Sequence, residues 1–510
     1  MPPPSPPGGS QPRPSPAEAQ ASRRFRLWLA MLAVGLVVAV GCAAGIAVPA
    51  THETQTTADE PQYLLTAISL ATDRDLDIAD ELAGGRWRPF HALPLPQQTE
   101  PLAGGRRLSP HDPLLPLLLA APVAVGGWVG AKLAMAAMAG LLAALLLWTA
   151  VRRLGVPVPT ATLATAVFAC SPPLAIYGSQ LYPELPAALA TLAAVAALIP
   201  PLQVPGAAPG GPDGPVTAPT PERLSGRATL IAGAAVVALP WLAVKYVPVA
   251  ATLAVVAGWR LVGAGQRRRV LGLAAALAAA GIVFLVLHRW WYGGWTPYQA
   301  GSHFTGGELT AVGADPDYLG RSRRLLGLLV DRSFGLAAWQ PAWLLAVPAV
   351  AVLLGRRPHG WAAVAAPLAA GWLVASFLAL TMHGWWSPGR QVVVVLPPAA
   401  LAVAWWAGPE RRRRLVLAAT GGIGLLAYGW LVAEGAAGRV TWAVDFADTA
   451  NPLYRAWRLV LPDYLAMTWW TWPLHAAWLI ALAVGAAAAG GAGQRLARFH
   501  RLRTRELREA

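Results

Sequence analysis

The sequence predicts an all-α membrane protein, a polytopic helical bundle of about twelve transmembrane spans. Of its 510 residues, 56% are hydrophobic and only 13% are charged, a balance that would not keep a domain of this length in solution. Apolar stretches long enough to cross about 30 Å of hydrocarbon recur along the chain. Arginine clusters flank alternate ends of these stretches, as the cytoplasmic ends of membrane helices require. We therefore expect a multi-pass protein of the cell membrane with both termini in the cytoplasm.

Each span is placed by its length and its flanking charges. The first apolar stretch has a core too long for a signal peptide, which favours an uncleaved span over a cleaved leader. Residues 113–127 are apolar but short and contain prolines, so we expect an interfacial or re-entrant helix there instead of a crossing. The predicted spans are residues 27–48, 128–150, 160–177, 185–199, 228–242, 247–262, 270–287, 339–354, 361–382, 391–406, 415–432 and 472–489.

The segments outside the spans divide into cytoplasmic and external ones. The Pro/Ser/Gly-rich N-terminus and the Pro/Gly-rich linker lack a core-forming pattern. The external loops are too long for simple turns, so function is expected there. The predicted organisation is a disordered cytoplasmic tail (1–26), a membrane domain (27–490) with a cytoplasmic linker (201–227) and external loops (50–112, 288–340 and 434–471), and a basic cytoplasmic tail (491–510).

Charge and cysteine content exclude several other classes of protein. The net charge of +15 suggests nucleic-acid binding, but the basic residues lie in short clusters beside apolar stretches, so topology explains most of it. The two cysteines, Cys42 and Cys170, lie inside apolar stretches, which leaves no disulfide framework in the loops. The chain has no P-loop and no nucleotide-binding fingerprint, which disfavours an ATP-driven machine.

Two carboxylates, Asp59 and Glu60, follow the first span near the outer membrane surface. Asp59 with Pro61 also suits the start of a helix, where an aspartate caps backbone amides, but that role leaves Glu60 unexplained. A third carboxylate, Glu184, lies at the external end of a later span, where it is either a helix-dipole partner or a functional group.

Two cations lie on the same external side, contrary to the positive-inside rule. They are Lys245, one of only two lysines in the chain, and Arg390. Each alone could extend its charge to lipid headgroups, but together they suit a phosphate at the membrane surface. The external histidines show no metal-ligand spacing, so metal binding stays open. These histidines are His52, His91, His111, His303 and His383.

Four segments carry a resemblance to a known family. They are Asp59-Glu60, residues 111–114 (His-Asp-Pro-Leu), residues 177–186 with Glu184, and residues 385–390 ending in Arg390. In order and sidedness these segments resemble the GT-C membrane glycosyltransferases, which include protein O-mannosyltransferases and the aminoarabinose transferases of lipid A.

The resemblance implies a GT-C-like bundle with external juxtamembrane helices that transfers a hexosyl or pentosyl group. The donor would be a sugar on polyprenyl phosphate, and the acceptor an envelope glycan, lipid or protein on the external face. Asp59 would be the general base of an inverting reaction, while Glu60 and Glu184 would orient the acceptor or hold a divalent metal ion. The implied site comprises the catalytic residues Asp59, Glu60 and Glu184, the phosphate ligands Lys245 and Arg390, and the acceptor or substrate contacts Tyr63, His111 and Tyr182.

Two other functions compete with this interpretation. A transporter or lipid-linked-sugar flippase would place ionisable residues near the bilayer midplane and often contain paired repeats, whereas here they cluster at one face and no repeat is evident. An assembly factor without chemistry would tolerate neutral residues at Asp59, Glu184 and Arg390.

Overall fold

The computed structural model describes residues 16–201, 223–304 and 306–509, and the regular elements in these ranges are helices. The first ten α-helices are α1 (Pro16–Ala44), α2 (Glu60–Thr72), α3 (Ala79–Ala83), α4 (Leu114–Leu154), α5 (Val158–Ala169), α6 (Leu174–Tyr177), α7 (Glu184–Leu198), α8 (Gly226–Leu242), α9 (Val247–Gly263) and α10 (Arg267–Tyr292). The remainder are α11 (Tyr318–Arg321), α12 (Arg324–Val330), α13 (Leu336–Trp339), α14 (Ala346–Arg356), α15 (Trp361–Leu373), α16 (Leu396–Ala407), α17 (Arg411–Ala436), α18 (Pro452–Trp457) and α19 (Thr471–Glu509).

Eight helices in the described ranges are long and apolar enough to cross a membrane. The other four predicted spans coincide with shorter apolar helices, namely Val158–Ala169, Glu184–Leu198, Gly226–Leu242 and Pro341–Arg356. A straight crossing of about 30 Å takes about 20 residues, so these four do not establish crossings by length alone. The all-α membrane bundle is confirmed, and the number of twelve spans stays a prediction.

The helix α4 is broken at the boundary that the sequence predicts between residues 127 and 128. Gly127 has a left-handed φ of 57°, and a Cβ added at Gly130 would lie only 2.3 Å from the carbonyl oxygen of Pro122. In a straight helix residues eight positions apart are about 12 Å apart, so the chain folds back sharply here. Residues 114–125 therefore form a separate helical segment, and their position at the membrane surface stays a prediction.

The tails differ in part from the expectation. Helix α1 begins at Pro16, so residues 16–26 are helical and the prediction of a disordered tail is wrong there. Helix α19 extends through the predicted basic tail to Glu509. Residues 1–15, residues 202–222 of the predicted linker, and residue 510 lie outside the described residues.

The centre of the bundle is formed by α7 and by the segment Arg390–Ala407, which contains α16. Most of α7 and most of Arg390–Ala407 are buried, whereas the apolar parts of α10 and α19 are not buried and face outward. An outward apolar face on a membrane helix contacts lipid. Both central segments begin with a charged residue, Glu184 and Arg390, and this arrangement positions the site described next.

Candidate functional site

Four separate segments bring the predicted charged residues to one end of the bundle. Asp59 immediately precedes α2, and Glu184 is the first residue of α7. Lys245 lies in the short 3-10 helix Val244–Tyr246 between α8 and α9, and Arg390 begins the 3-10 turn that leads into α16. The residues that the sequence predicts on one face of the membrane are therefore also close to one another in space.

Arg390 is the centre of this cluster. Its Nη2 lies 2.5 Å from Oδ2 of Asp59, and its Nε donates to Oε1 of Glu184 at 3.0 Å. The Nζ of Lys245 donates to the same Glu184 oxygen at 2.7 Å. Two carboxylates and two cations thus form one connected and formally neutral cluster. The second Glu184 oxygen, Oε2, is buried without a hydrogen-bond donor.

Aromatic rings hold the guanidinium of Arg390 in place. Its Cζ lies 4.1 Å from the ring centroid of Tyr182 and 5.0 Å from that of Trp386. The preceding Gly389 has a φ of 79°, and a Cβ there would lie 2.8 Å from a methyl carbon of Leu336. A residue with a side chain would be strained and crowded at this position, so the glycine allows Arg390 to turn into the cluster.

Glu60 does not reach the open side of the cluster. Its Oε2 accepts a hydrogen bond from the backbone N–H of Thr57 at 2.9 Å, and its Oε1 accepts one from Leu181 at 2.7 Å. Both oxygens are thus occupied and the side chain is fully buried, and the predicted roles of orienting an acceptor or holding a metal ion stay predictions. Burial raises the pKa of Glu60. Glu60 instead fastens the start of α2 to the loop before α7.

The alternative in which Asp59 only caps a helix is also wrong. Asp59 occupies the N-cap position of α2, but its side chain makes no capping hydrogen bond. Burial would raise the pKa of Asp59, yet the charges of Arg390 and His111 outweigh this and hold that pKa well below its usual range. Asp59 is therefore ionised throughout the physiological range, and its side chain is 25% exposed.

His111 and Tyr63 form the wall beside Asp59. Their rings are stacked with centroids 4.6 Å apart, and Nε2 of His111 lies 3.9 Å from Oδ1 of Asp59. Burial lowers the pKa of His111, and its Nε2 has no hydrogen-bond partner. Tyr182, also predicted as a substrate contact, donates its hydroxyl to the carbonyl of Thr57 at 3.1 Å and supports Arg390 with its ring.

Sequence reasoning missed a buried Asp–His pair behind the cluster. Oδ1 of Asp112 lies 3.1 Å from Nε2 of His288, and Oδ2 accepts from the backbone N–H of Val244 at 3.0 Å. The hydroxyl of Tyr292 donates to the carbonyl of His111 at 3.1 Å. These bonds fix the chain beside both His111 and Lys245. The sequence does contain one sign of this pair, the residues His111 and Asp112 just before a helix. They contributed only to the family resemblance and not to a predicted contact with His288.

Lys132, the second lysine of the chain, is also positioned by this architecture. It is fully buried in α4, and its Nζ donates to the carbonyl of Gln55 at 2.6 Å. The rarity of lysine in the sequence pointed to it, but no role followed from the sequence. The contact ties the loop before Asp59 to a membrane helix.

One group of three carboxylates in the described ranges is close enough to share a cation. It consists of Asp73, Asp80 and Glu81 at the C-terminal end of α2 and in α3. This group contains neither Glu60 nor Glu184, and metal binding by those two residues stays a prediction.

No protein-family model matches the chain, and no curated protein matches it. A solved structure does: ArnT from Cupriavidus metallidurans, bound to undecaprenyl phosphate, is similar with a TM-score of 0.50 and 15% sequence identity. The similarity covers 91% of this chain and 75% of that one. At this identity the comparison establishes the fold alone. The chain therefore has the fold of this ArnT structure, in agreement with the fold that the resemblance implied.

Proposed function

We propose that this protein is an integral membrane glycosyltransferase that moves a sugar from a polyprenyl-phosphate donor to a cell-envelope acceptor on the external face, with inversion. The observation that carries the proposal is the buried cluster in which a partly exposed carboxylate, Asp59, pairs with Arg390, and Arg390 and Lys245 pair with the same oxygen of Glu184. An inverting transfer needs a base for the acceptor hydroxyl and positive charge for the leaving phosphate, and this cluster holds both.

Lys245 and Arg390 would bind the donor phosphate. Arg390 offers a planar fork of donors and Lys245 a point charge, a combination that suits phosphate oxygens. Lys245 is 28% exposed, so its ammonium is accessible to a ligand although it is paired with Glu184. The structure of ArnT with undecaprenyl phosphate supports a phosphate of this lipid class as the ligand.

In the proposed reaction, Asp59 removes the proton of an acceptor hydroxyl, and the hydroxyl oxygen attacks the anomeric carbon. The bond between that carbon and the phosphate oxygen breaks, and its electron pair leaves with the lipid phosphate, whose charge is stabilised by Lys245 and Arg390. Donor binding also makes Asp59 a stronger base. The phosphate would share the positive charge of Arg390, which raises the pKa of Asp59 from its depressed value toward the range of a useful base.

The position of the charged groups supports an enzyme over a transporter. Glu184 and Arg390 stand at the first positions of their helical segments and are paired at one end of the bundle. A transport path would need polar groups through the middle of the bilayer on broken helices. The residues of α7 after Glu184 are instead apolar and mostly buried, with Thr191 the one polar side chain among them.

Replacing Asp59 with Asn tests the proposal. Asparagine keeps an oxygen for the bond from Arg390 but cannot act as the base, so we expect transfer from a labelled polyprenyl-phosphate sugar in membranes to fall about 10²–10⁴-fold. Asp445→Asn is the matched control, because Asp445 pairs with His52 outside the cluster. The control should retain transfer. An Asp59→Asn protein with near wild-type transfer would remove Asp59 from the chemistry.

A further inference from the structure

A cavity lies at the opposite end of the bundle from the Asp59 cluster. It has a volume of about 300 Å³ and is lined by the ends of α4, α14 and α16 and the start of α17. The segment Arg390–Ala407 begins in the cluster and ends beside this cavity, about 27 Å away if helical throughout. That distance is close to the thickness of a bilayer core, so the cavity lies near the other membrane surface.

Two arginines give this cavity a positive character. The guanidinium of Arg413 lies 4.8 Å from the ring centroid of Trp406, and its Nη1 donates to the carbonyl of Trp406 at 3.1 Å. Its Nη2 pairs with Glu410 at 2.7 Å, but this glutamate is 44% exposed at the rim. The second arginine, Arg356, ends α14 and makes no ion pair with any residue that the structure describes. The cavity thus keeps a net positive charge.

Trp406 supplies a hydrogen-bond donor without an acceptor. Its side chain lines the cavity and the residue is only 9% exposed, yet its Nε1 is buried with no partner. A buried N–H without an acceptor costs about 1–3 kcal/mol, so a ligand that offers an oxygen there is favoured. The neutral lining by Gly155 and Pro409 leaves room for a compact group beside the two guanidinium groups.

We propose that this arginine–tryptophan pocket, defined by Arg356, Arg413 and Trp406, binds the phosphate of an anionic phospholipid headgroup. A phosphate diester carries the charge that two arginines attract and the oxygens that the indole N–H lacks. The pocket opens where membrane helices end among further arginines, at Arg357 and along the start of α17. Basic pockets between helices at this depth are suited to anionic headgroups. This inference does not depend on the proposed transferase activity.

The test uses the purified full-length protein in a nonionic detergent and follows its thermal unfolding. Short-chain phosphatidylglycerol, phosphatidylcholine and inorganic phosphate are titrated in parallel. We expect phosphatidylglycerol to raise the midpoint temperature saturably and phosphatidylcholine to leave it unchanged, with inorganic phosphate effective only at concentrations at least about tenfold higher. Equal shifts with both lipids, or a shift with inorganic phosphate alone, would overturn the proposal.

Variants locate the effect in the pocket. Trp406→Phe keeps a smaller aromatic ring and removes the N–H, so we expect an apparent affinity for phosphatidylglycerol about two- to tenfold weaker. Arg413→Gln should weaken it at least about tenfold. Arg412→Gln is the matched control, because it removes the same charge from an exposed neighbour and should change the affinity less than about twofold. If Arg413→Gln and Arg412→Gln weaken the affinity equally, general surface charge explains the binding and the pocket assignment fails.

Discussion

Replacing Arg390 with Lys tests the central element of the cluster, because lysine keeps the charge and loses the geometry. Arg390 reaches Asp59 and Glu184 through two different nitrogens, at 2.5 and 3.0 Å, whereas a lysine has one nitrogen. The change therefore removes one charge-assisted hydrogen bond, about 1.5–3 kcal/mol. It also removes the stacking on Tyr182 at 4.1 Å, which in a desolvated site contributes about 1–2 kcal/mol. The expected total is about 2.5–5 kcal/mol.

We expect this loss in both stability and transfer. If the same interactions hold the transition state, a loss of about 2.5–5 kcal/mol corresponds to transfer at least about 70-fold slower. The measurements are thermal unfolding in detergent and initial rates with a labelled lipid-linked sugar. Arg268→Lys, at an exposed position at the start of α10, is the control and should change neither quantity. An Arg390→Lys protein that matches the wild type in both assays would refute the two-carboxylate bridge.

Three other substitutions test the surroundings of the cluster. Glu60→Gln places an amide N–H₂ where the backbone N–H of Thr57 or Leu181 needs an acceptor, so the unfolding temperature should fall by an amount equivalent to about 2–3 kcal/mol, and an unchanged value would contradict the fastening role. Gly389→Ala should lower the unfolding temperature by an amount equivalent to about 1–3 kcal/mol, because alanine is strained at this backbone conformation. A stable, active variant would show that the left-handed turn is dispensable. Burial and, less strongly, the neighbouring Asp80 raise the pKa of Glu81 to about 7. Because this folded-state pKa lies above the unfolded value, stability should decrease as pH rises from about 4.5 through 7, and Glu81→Gln should flatten that dependence in unfolding scans.

The membrane fold was predictable from the sequence because bilayer thickness sets the length of an apolar stretch and arginines mark its cytoplasmic end. The break in α4 was predictable too, since the prolines and the pair Gly126-Gly127 cannot continue a straight helix at low cost. The start of α1 at Pro16 was not predictable from apolar periodicity. Residues 16–26 are polar, and their helix continues from the apolar stretch that follows.

The members of the site were predictable, but their pairing was not. Sidedness placed Asp59, Glu184, Lys245 and Arg390 on one face, which is a statement about depth in the membrane. The contact between Asp59 and Arg390 joins residues 331 positions apart, and it depends on which helices become neighbours in the centre of the bundle. A single sequence holds no signal for that adjacency. The same reason hid the bond between Asp112, just before α4, and His288 in α10, because these two segments meet only in the folded bundle.

The adjacent carboxylates of Asp59 and Glu60 have different environments because α2 begins at Glu60. Asp59 therefore lies just before the helix, whereas Glu60 lies in its first turn. Glu60, the first residue of α2, accepts a hydrogen bond from the backbone N–H of Thr57, three residues before it, and this fixes the first turn of α2. Asp59 makes no capping hydrogen bond, so its carboxylate is free to face Arg390. A swap of the two residue types would therefore not be neutral. Aspartate at position 60 is one methylene too short to reach both amides, and the base at position 59 would lose its fixed direction toward the bound donor.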